Sequence, residues 1–318
     1  MLPKSRIFSA LLVGLGAMLL AWGLLSPFFL HFDGRMPLDL RNTTFTLQDE
    51  QAKTRIPQQE RTVTAPVTRQ YHAEFMDPVD TNSVTARIGV STLRESNQAD
   101  LDRLIEASVW SYRLDRYTGD AMTEATMSDQ PASAAKQVPV DSLWVKFPVK
   151  SQQTTYQVFD VTLRKPVAAE FAEEMEIDGR TVYRYRQNIE PTNVAMSYAG
   201  PFNTITLPDG EKAYLFHSGT RDYFVDQKSG LVVDIHEQID DFYGSRSGEK
   251  KEQQLLFDGQ LSEESRSQML AQAADIKDGS VARMLNWVAI GAGMLFLVIG
   301  LAGVFGIFKR RKNVTGRA

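Results

Sequence analysis

Histidine and acidic side chains are the residues of this sequence best suited to bind a metal or to transfer protons. The four histidines lack metal-ligand spacing such as His-x-x-x-His, so only pairing of the strands that carry His217 and His236 could bring two of them together. Two acidic groups could bind a cation or position a sugar, but carboxylates in an acidic domain usually lie on the surface. The residues concerned are His31, His72, His217 and His236, and Glu173, Glu174, Glu176, Asp234, Glu237, Asp240 and Asp241.

Motifs for nucleophilic or nucleotide chemistry are missing from the sequence. No Gly-x-Ser-x-Gly, P-loop or Gly-x-Gly-x-x-Gly motif follows a predicted strand, and the pair Gly14 and Gly16 lies within an apolar segment. The absence of cysteine excludes disulfides, thiolate catalysis and cysteine-based zinc or iron-sulfur sites. We therefore predict that the protein is not an enzyme and has no catalytic residues, no metal site and no cofactor.

Aromatic side chains offer a different kind of chemistry, the lining of an apolar ligand site. A lipid site needs large apolar side chains around a cavity and few polar groups. The same side chains could instead fill the cores of β structure, and both interpretations stay open. The candidate lining residues are Trp110, Tyr112, Trp144, Phe147, Tyr156, Phe159, Tyr183, Tyr185, Phe216 and Tyr223.

Two uncharged segments, residues 7–30 and 284–308, predict transmembrane helices. Each exceeds the roughly 20 residues that a helix needs to cross about 30 Å of hydrocarbon. A cleaved signal peptide is the alternative for the first segment, but its apolar run is too long and no Ala-x-Ala site ends it. Small residues at helical spacing predict that the two helices pack closely or dimerise. These stripes are Ala10, Gly14, Ala17 and Ala21, and Ala289, Gly293 and Gly300.

Basic residues beside the two segments predict the orientation of the chain. Lys and Arg residues that flank a span are retained in the cytoplasm, which predicts cytoplasmic tails at residues 1–6 and 309–318 and an extracytoplasmic domain at residues 31–283. The net charge is −4, and because seven of the basic residues lie in the tails, the domain between the spans is acidic. An acidic domain is a poor partner for nucleic acid. The basic residues of the tails are Lys4, Arg6, Lys309, Arg310, Arg311, Lys312 and Arg317.

The domain between the spans has the sequence pattern of an α+β fold with a mostly antiparallel sheet. Runs such as residues 62–75 and 83–93 alternate Thr, Val and aromatic residues at period two, and the pair Asp178-Gly179 between alternating runs predicts a hairpin. Residues 262–278 predict a helix that begins at Ser262 and has Glu263 and Glu264 in its first turn. Its buried stripe would be Met269, Leu270, Ala273 and Ile276, and a second, short helix is predicted at Leu101, Leu104 and Ile105.

Two segments of similar sequence suggest an internal duplication. YRLDRYTG at residues 112–119 and YFVDQKSG at residues 223–230 share aromatic, Asp, hydroxyl and Gly positions that are typical of hairpin turns. Coincidence between two turns and true duplication stay open. A duplication would divide the domain into units at residues 31–140 and 141–260.

These segments also carry a family resemblance. The order YRLDRYTG, VKFPVKSQQTTYQVFDVTLRKPVAAEF, YRYRQNIEPT and DYFVDQKSGLVVD, framed by two spans, resembles the actinobacterial family known as domain of unknown function 3068. This family is also labelled the PorA porin family and includes LmcA-like proteins of the mycobacterial and corynebacterial envelope. The resemblance covers nearly the whole chain.

The resemblance implies an inner-membrane envelope protein that binds or transfers a lipid or lipid-linked precursor during lipoglycan assembly, that is, of lipomannan and lipoarabinomannan. Implied partners are a membrane lipid or lipid-linked glycan, and a membrane glycosyltransferase if the protein acts as a scaffold. The porin label implies a transport component instead. A membrane β-barrel needs continuously apolar outward faces, whereas Arg184 and Arg186 alternate with tyrosines here, so we expect no pore formed by the β domain.

Overall fold

A computed structural model describes residues 4–29, 34–96, 100–129, 134–276 and 279–305. The chain forms two compact units, one that includes the first and last helices and one at residues 34–276. The helices are α1 (Lys4–Phe29), α2 (Asp100–Arg103), α3 (Val194–Ser197), α4 (Glu263–Asp275) and α5 (Ser280–Val304). The strands are β1 (Thr44–Asp49), β2 (Lys53–Ile56), β3 (Arg61–Thr64), β4 (Val67–Val79), β5 (Ser83–Arg94), β6 (Leu104–Asp115), β7 (Ala125–Ser128), β8 (Lys136–Val138), β9 (Tyr156–Asp160), β10 (Lys165–Ile177), β11 (Arg180–Asn193), β12 (Thr204–Thr206), β13 (Lys212–Asp226), β14 (Val232–Gly244) and β15 (Lys250–Gln260).

The first unit contains the two predicted apolar helices, which are confirmed. The apolar parts of α1 and α5, Ile7–Phe29 and Val281–Val304, are each long enough to cross a membrane. Helix α5 begins at Ser280, earlier than predicted. It directly follows Gly279, whose φ of 70° lies outside the helical region and therefore marks the start of the helix. It ends at Val304, and residues 306–308 of the predicted span lie outside the described residues.

Helices α1 and α5 pack against each other in antiparallel fashion through glycines. A Cβ atom on Gly16 would lie 2.8 Å from the carbonyl oxygen of Gly293, and one on Gly300 would lie 2.8 Å from that of Ser9. Near the other end, the Ser26 hydroxyl donates to Asn286 Oδ1 at 2.9 Å. Close packing through Gly293 and Gly300 is therefore confirmed.

The predicted stripe on α1 is wrong. A Cβ atom on Gly14 would have no neighbour within 4 Å, whereas Ser9, Gly16 and Gly23 are buried. These buried positions repeat every seven residues, which is the spacing of a left-handed helix pair. Ala10, Ala17 and Ala21 lie on the exposed face with Gly14. Small residues lie on two faces of α1, so the sequence alone did not show which face packs against α5.

The second unit is built on one antiparallel sheet of fifteen strands, so the predicted fold class is confirmed. The main strand order is β8-β7-β6-β5-β4-β1-β15-β14-β13-β11-β10-β9, and β2, β3 and β12 pair at its side. Strand β1 joins the two halves because it pairs with both β4 and β15. One apolar core cluster contains side chains from both halves and from α4, such as Val84, Val233 and Met269. The sheet therefore curves enough to bring its two halves onto a shared interior. The proposed duplication into two units stays a prediction.

Local predictions within this unit are mostly confirmed. Asp178 and Gly179, with φ of 50° and 73°, join β10 to β11 as a two-residue turn. Helix α4 begins after Ser262, whose hydroxyl accepts the N–H of Ser265 at 3.2 Å, and it ends three residues before the predicted boundary. The predicted short helix exists but is shorter than expected: Leu101 lies in α2 (Asp100–Arg103), whereas Leu104 and Ile105 already belong to β6. Pairing of this segment with β5 overrides its weak helical spacing.

The two similar turns have the same local geometry. In residues 115–119 and 226–230 alike, the aspartate side chain accepts the N–H of the third residue after it at 2.8 Å. In both turns the aspartate carbonyl accepts the glycine N–H at 2.9 Å, and the glycine has positive φ.

Both turns contact one chain segment, residues 143–151, which we call the crossing segment. The Phe147 N–H donates to the Gly230 carbonyl at 2.7 Å, and the Val149 N–H donates to the Tyr117 carbonyl at 3.0 Å. A Cβ atom on Gly230 would overlap the carbonyl oxygen of Phe147, so only glycine allows this approach. The crossing segment is therefore fixed in position from two sides.

Candidate functional site

The unit at residues 34–276 contains a cavity with mostly apolar walls. It holds about 830 Å³ of empty space, including the part that is open to solvent. Its apolar lining comes from strands, the crossing segment and α4, and three polar side chains, Tyr71 on β4, Arg221 on β13 and Glu237 on β14, form what we call the polar wall. The other lining residues are Met36, Leu40, Asn42, Thr43, Phe45, Ala73, Phe75, Ile88, Trp144, Val145, Phe159, Val161, Tyr223, Leu231, Val232, Ile235, Met269 and Gln272.

One side of the cavity is formed by residues 34–43, which we call the leading segment, and by α4. The side chain of Gln272 on α4 ties the two together: its Oε1 accepts the N–H groups of Arg41 and Asn42 at 2.8 Å each, and its Nε2 donates to the Asn42 carbonyl at 2.9 Å. Asn42 and Gln272 both line the cavity. A single amide side chain thus closes the gap between an irregular segment and a helix.

The aromatic part of the lining rests on buried rings. Trp144 and Phe159 lie with ring centroids 5.1 Å apart on the cavity. Behind them, Trp110 packs edge-on against Trp144 at 5.5 Å and Tyr112 stacks on it at 5.8 Å. Trp110 and Tyr112 contact Trp144 but are not among the residues that line the cavity, so they support its wall from behind.

The polar wall consists of an ion pair on adjacent strands and a tyrosine that is hydrogen-bonded to it. Arg221 on β13 and Glu237 on β14 are register partners, and Arg221 Nε lies 2.5 Å from Glu237 Oε1. The Tyr71 hydroxyl donates to the same carboxylate oxygen at 2.7 Å. Behind Tyr71, Arg69 Nε donates to its hydroxyl at 2.8 Å and lies 3.2 Å from Glu237 Oε2. One carboxylate therefore lies between two arginines.

The ion pair continues away from the cavity as a buried network. Arg221 donates through Nη1 to Asp160 Oδ2 at 3.1 Å, and His217 Nε2 lies 3.4 Å from the same oxygen. His217 Nδ1 lies 2.5 Å from Asp241 Oδ1. None of these four side chains is more than about a tenth exposed. Buried charges are tolerated when they are paired in this way.

Mutual attraction sets the charge states of this network. Burial alone would lower the pKa of His217, but Asp241 and Asp160 outweigh burial and raise it to about 10. Burial alone would raise the pKa of Asp160, but His217 and Arg221 hold it well below its usual range. Burial alone would also raise the pKa of Glu237, but Arg221 and Arg69 keep it lowered. The network is therefore ionised at neutral pH, with His217 as a cation.

The predicted aromatic site residues fall into three groups. Trp144, Phe159 and Tyr223 line the cavity. Trp110 and Tyr112 support it from behind. The remaining five lie in packed aromatic clusters apart from the cavity walls: Phe147, Tyr156, Tyr183 and Tyr185 in one cluster, and Phe216 stacked on Phe242 in another.

The histidines His217 and His236 do not come together, although the strands that carry them pair. Strands β13 and β14 do pair, but His236 lies opposite Asp222, whereas His217 lies farther along the strand in the buried network. His72 is exposed on β4, and His31 lies outside the described residues. No group of three or more His, Asp or Glu residues within the described part of the chain is placed to hold a metal ion.

The expectation that the acidic groups lie on the surface is wrong for three residues. Glu237, Asp241 and Asp234 are buried, whereas Glu173 and Glu174 are exposed as expected. The alternation of β14 turns positions 237 and 241 inward, where cations on neighbouring strands pair with them.

Sequence reasoning missed Arg69, Asp160 and Arg221 altogether. A signal was present, because Arg221 shares its strand face with the inward-facing Tyr223 and Val225, and Arg69 shares its face with Val67. A charged residue at an inward position of an alternating strand predicts a buried partner of opposite charge.

Comparison with known proteins places the chain in a family. A model of the Porin PorA family matches residues 8–302. The chain belongs to the Porin PorA family. Porin PorA of Corynebacterium amycolatum is 26% identical over 192 residues, which are 56% of this chain and 48% of the relative. The chain therefore spans about half the length of the curated relative it matches. The resemblance seen in the sequence is confirmed, and the cavity lies within the part of the chain that the Porin PorA family model matches.

Proposed function

We propose that this protein is a non-enzymatic envelope protein whose β domain binds a lipid or lipid-linked precursor in its cavity. The cavity is the observation that carries the proposal. Mostly apolar walls with a few placed polar groups are typical of small-molecule sites. The family resemblance supports a role in the assembly of lipomannan and lipoarabinomannan, with a membrane glycosyltransferase as a further partner.

The proposed location follows from the apolar helices and the basic residues beside them. Two apolar helices support a two-pass membrane protein, and a porin-named family fits the cell envelope. We propose the inner membrane, with residues 34–276 on its outer side, because Lys4, Arg6 and the basic residues after the second span favour the cytoplasm. A reporter enzyme fused after Ala318 should therefore be located in the cytoplasm. A reporter that is exported would refute this orientation.

The test of lipid binding compares occupancy in matched variants of the full-length chain. Ala73 lines the cavity on β4, and its neighbour Glu74 is exposed on the other face of the same strand. Ala73→Phe should fill the cavity with a ring, whereas Glu74→Phe places the same ring outside. Native mass spectrometry after mild detergent extraction should find bound lipid in the wild type and in Glu74→Phe, and much less in Ala73→Phe. Empty wild-type protein, or equal occupancy in the two variants, would refute the proposal.

A porin-like transport component is the alternative that the family name and the named relative support. Its test is ion conductance across a planar bilayer by the purified chain. Charged side chains on the outward faces of β10 and β11, such as Glu173 and Arg186, argue against strands that face lipid. Reproducible channels at low protein concentration would favour the alternative.

A further inference from the structure

The carboxylate of Glu237 has one oxygen with unused hydrogen-bonding capacity. Oε1 receives hydrogen bonds from Tyr71 and Arg221, at 2.7 and 2.5 Å. Oε2 lies 3.2 Å from Arg69 Nε in an ion pair but accepts no hydrogen bond, although Glu237 is fully buried. Buried acceptors without a donor are rare because desolvation penalises them. Since Glu237 lines the cavity, a ligand there could supply the donor.

The cations beside the cavity are already paired with carboxylates of the protein itself. The network has three cations, Arg69, Arg221 and His217, and four carboxylates, those of Glu237, Asp160, Asp241 and the partly exposed Glu106. Among the described residues that line the cavity, Arg221 is the only cation, and two carboxylates already pair with it. An anionic end group would therefore lose its hydration and meet Glu237 without gaining a cation of its own.

We propose that the cavity selects lipids whose polar end is uncharged and carries a hydroxyl, with Glu237 accepting the hydrogen bond of that hydroxyl. The inference rests on the proposed lipid-binding function and adds the ligand class. A hydroxyl donates one hydrogen bond and introduces no charge, so it satisfies the carboxylate and leaves the ion pairs unchanged. Apolar walls beside the polar wall accommodate the chain of the same molecule.

The test uses the full-length chain in lipid nanodiscs and two photoactivatable probes of equal chain length. One is a diazirine-bearing long-chain alcohol, and the other is the corresponding carboxylate at a pH where it is ionised. Labelling of cavity peptides is measured by mass spectrometry and divided by labelling of α1 and α5 peptides, which corrects for the amount of probe in the bilayer. The corrected cavity labelling by the alcohol should exceed that by the carboxylate by about tenfold or more.

Glu237→Gln should reverse this preference. The substitution removes the carboxylate that Arg69 and Arg221 share. A ligand carboxylate can then take its place and pair with these arginines, which it cannot do in the wild type. The matched control is Glu252→Gln, which removes a carboxylate 2.8 Å from buried Arg55 at a site that does not line the cavity. The control should keep the wild-type ratio. Circular dichroism and a melting curve establish that each variant is folded.

The outcomes separate this inference from the function on which it rests. Cavity labelling by the carboxylate that equals or exceeds labelling by the alcohol in the wild type overturns the selectivity and leaves lipid binding standing. Labelling of the spans without labelling of the cavity by either probe overturns lipid binding and the inference together. An unchanged ratio in folded Glu237→Gln removes Glu237 as the selecting group. If Glu237→Gln does not fold, the wild-type ratio alone decides.

Discussion

Two aromatic residues only three positions apart on the crossing segment have different surroundings. Trp144 faces the cavity, with rings packed only behind and beside it. Phe147 is completely buried, stacks on Tyr185 at 4.8 Å and meets Tyr156 edge-on at 5.5 Å. The same type of side chain thus contributes to an open wall at one position and to a filled cluster at the other.

This difference separates the parts of the molecule that stabilise it from the parts that remain available to a ligand. Close packing around Phe147 contributes stability because its ring has neighbours on all sides. The side chains around the cavity beside Trp144 lack such contacts on one side. The ion pairs of the polar wall contribute little to stability, because their attraction roughly offsets the cost of removing the charges from water. Substitutions in the cluster around Phe147 should therefore change mainly stability, whereas substitutions in the cavity wall should change mainly ligand binding.

Phe147→Ala should have the largest effect on stability. Removal of a fully buried ring leaves a void in the aromatic cluster, and we expect the free energy of unfolding to fall by about 3–5 kcal/mol. Urea unfolding of the purified chain, followed by tryptophan fluorescence, measures this loss. Lipid occupancy of the protein that remains folded should match the wild type. A variant with wild-type stability would show that the cluster is not packed as described.

Gly230→Ala should have the second-largest effect, because it pushes the crossing segment away from its turn. The new Cβ atom would overlap the Phe147 carbonyl and lie 2.5 Å from the Pro148 carbonyl oxygen, at a φ of 73°. We expect a loss of about 2–4 kcal/mol from strain and displacement. Gly179→Ala is the matched control, since Gly179 has the same φ and nothing within 4 Å. The control should lose about 1 kcal/mol, from the positive φ alone. Equal losses in the two variants would contradict the close approach.

The fold was largely predictable from the sequence because period-two alternation, turn residues and apolar spans are local signals. The hairpin at Asp178-Gly179 and the helix after Ser262 are examples. The cavity was not predictable, because alternation identifies inward positions but cannot show whether space is left between them. Trp144 and Phe147 illustrate this limit. The network of Arg69, Arg221 and Asp160 depends on pairing between distant strands, which no local pattern specifies.

The pH dependence of stability should distinguish the crossing segment from the buried network. Lys146 on the crossing segment is fully buried and donates through Nζ to the carbonyls of Tyr117 and Phe147 at 2.9 and 2.8 Å. Burial lowers its pKa from 10.5 to about 7, against the attraction of nearby aspartates. The pKa of His217 is shifted the other way, from 6.5 to about 10. Between pH 7 and pH 10 the unfolded chain therefore binds more protons at Lys146 and fewer at His217 than the folded chain does.

These two contributions have opposite signs, so they nearly cancel in the wild type. Stability rises with pH where the unfolded state binds more protons, which is the case for Lys146, and falls for His217. In Lys146→Met only the His217 contribution remains, and the free energy of unfolding should fall by about 3 kcal/mol between pH 7 and pH 10, relative to the wild type. His217→Gln should show a rise over the same interval. Urea unfolding at a series of pH values gives both curves, and parallel curves for wild type and variants would contradict the assignment.

Phe75→Ala should have the smallest effect on stability and a clear effect on the ligand. Phe75 lines the cavity and is only partly buried, so its removal enlarges an existing space instead of opening a new one. We expect the free energy of unfolding to fall by about 1 kcal/mol or less. Lipid occupancy measured by native mass spectrometry should nevertheless decrease, because the ring contributes apolar contact area to the wall. Phe202→Ala removes a 67% exposed ring that is not part of the lining and should change neither quantity. A large stability loss with unchanged occupancy in Phe75→Ala would mean that this wall behaves like the filled cluster around Phe147.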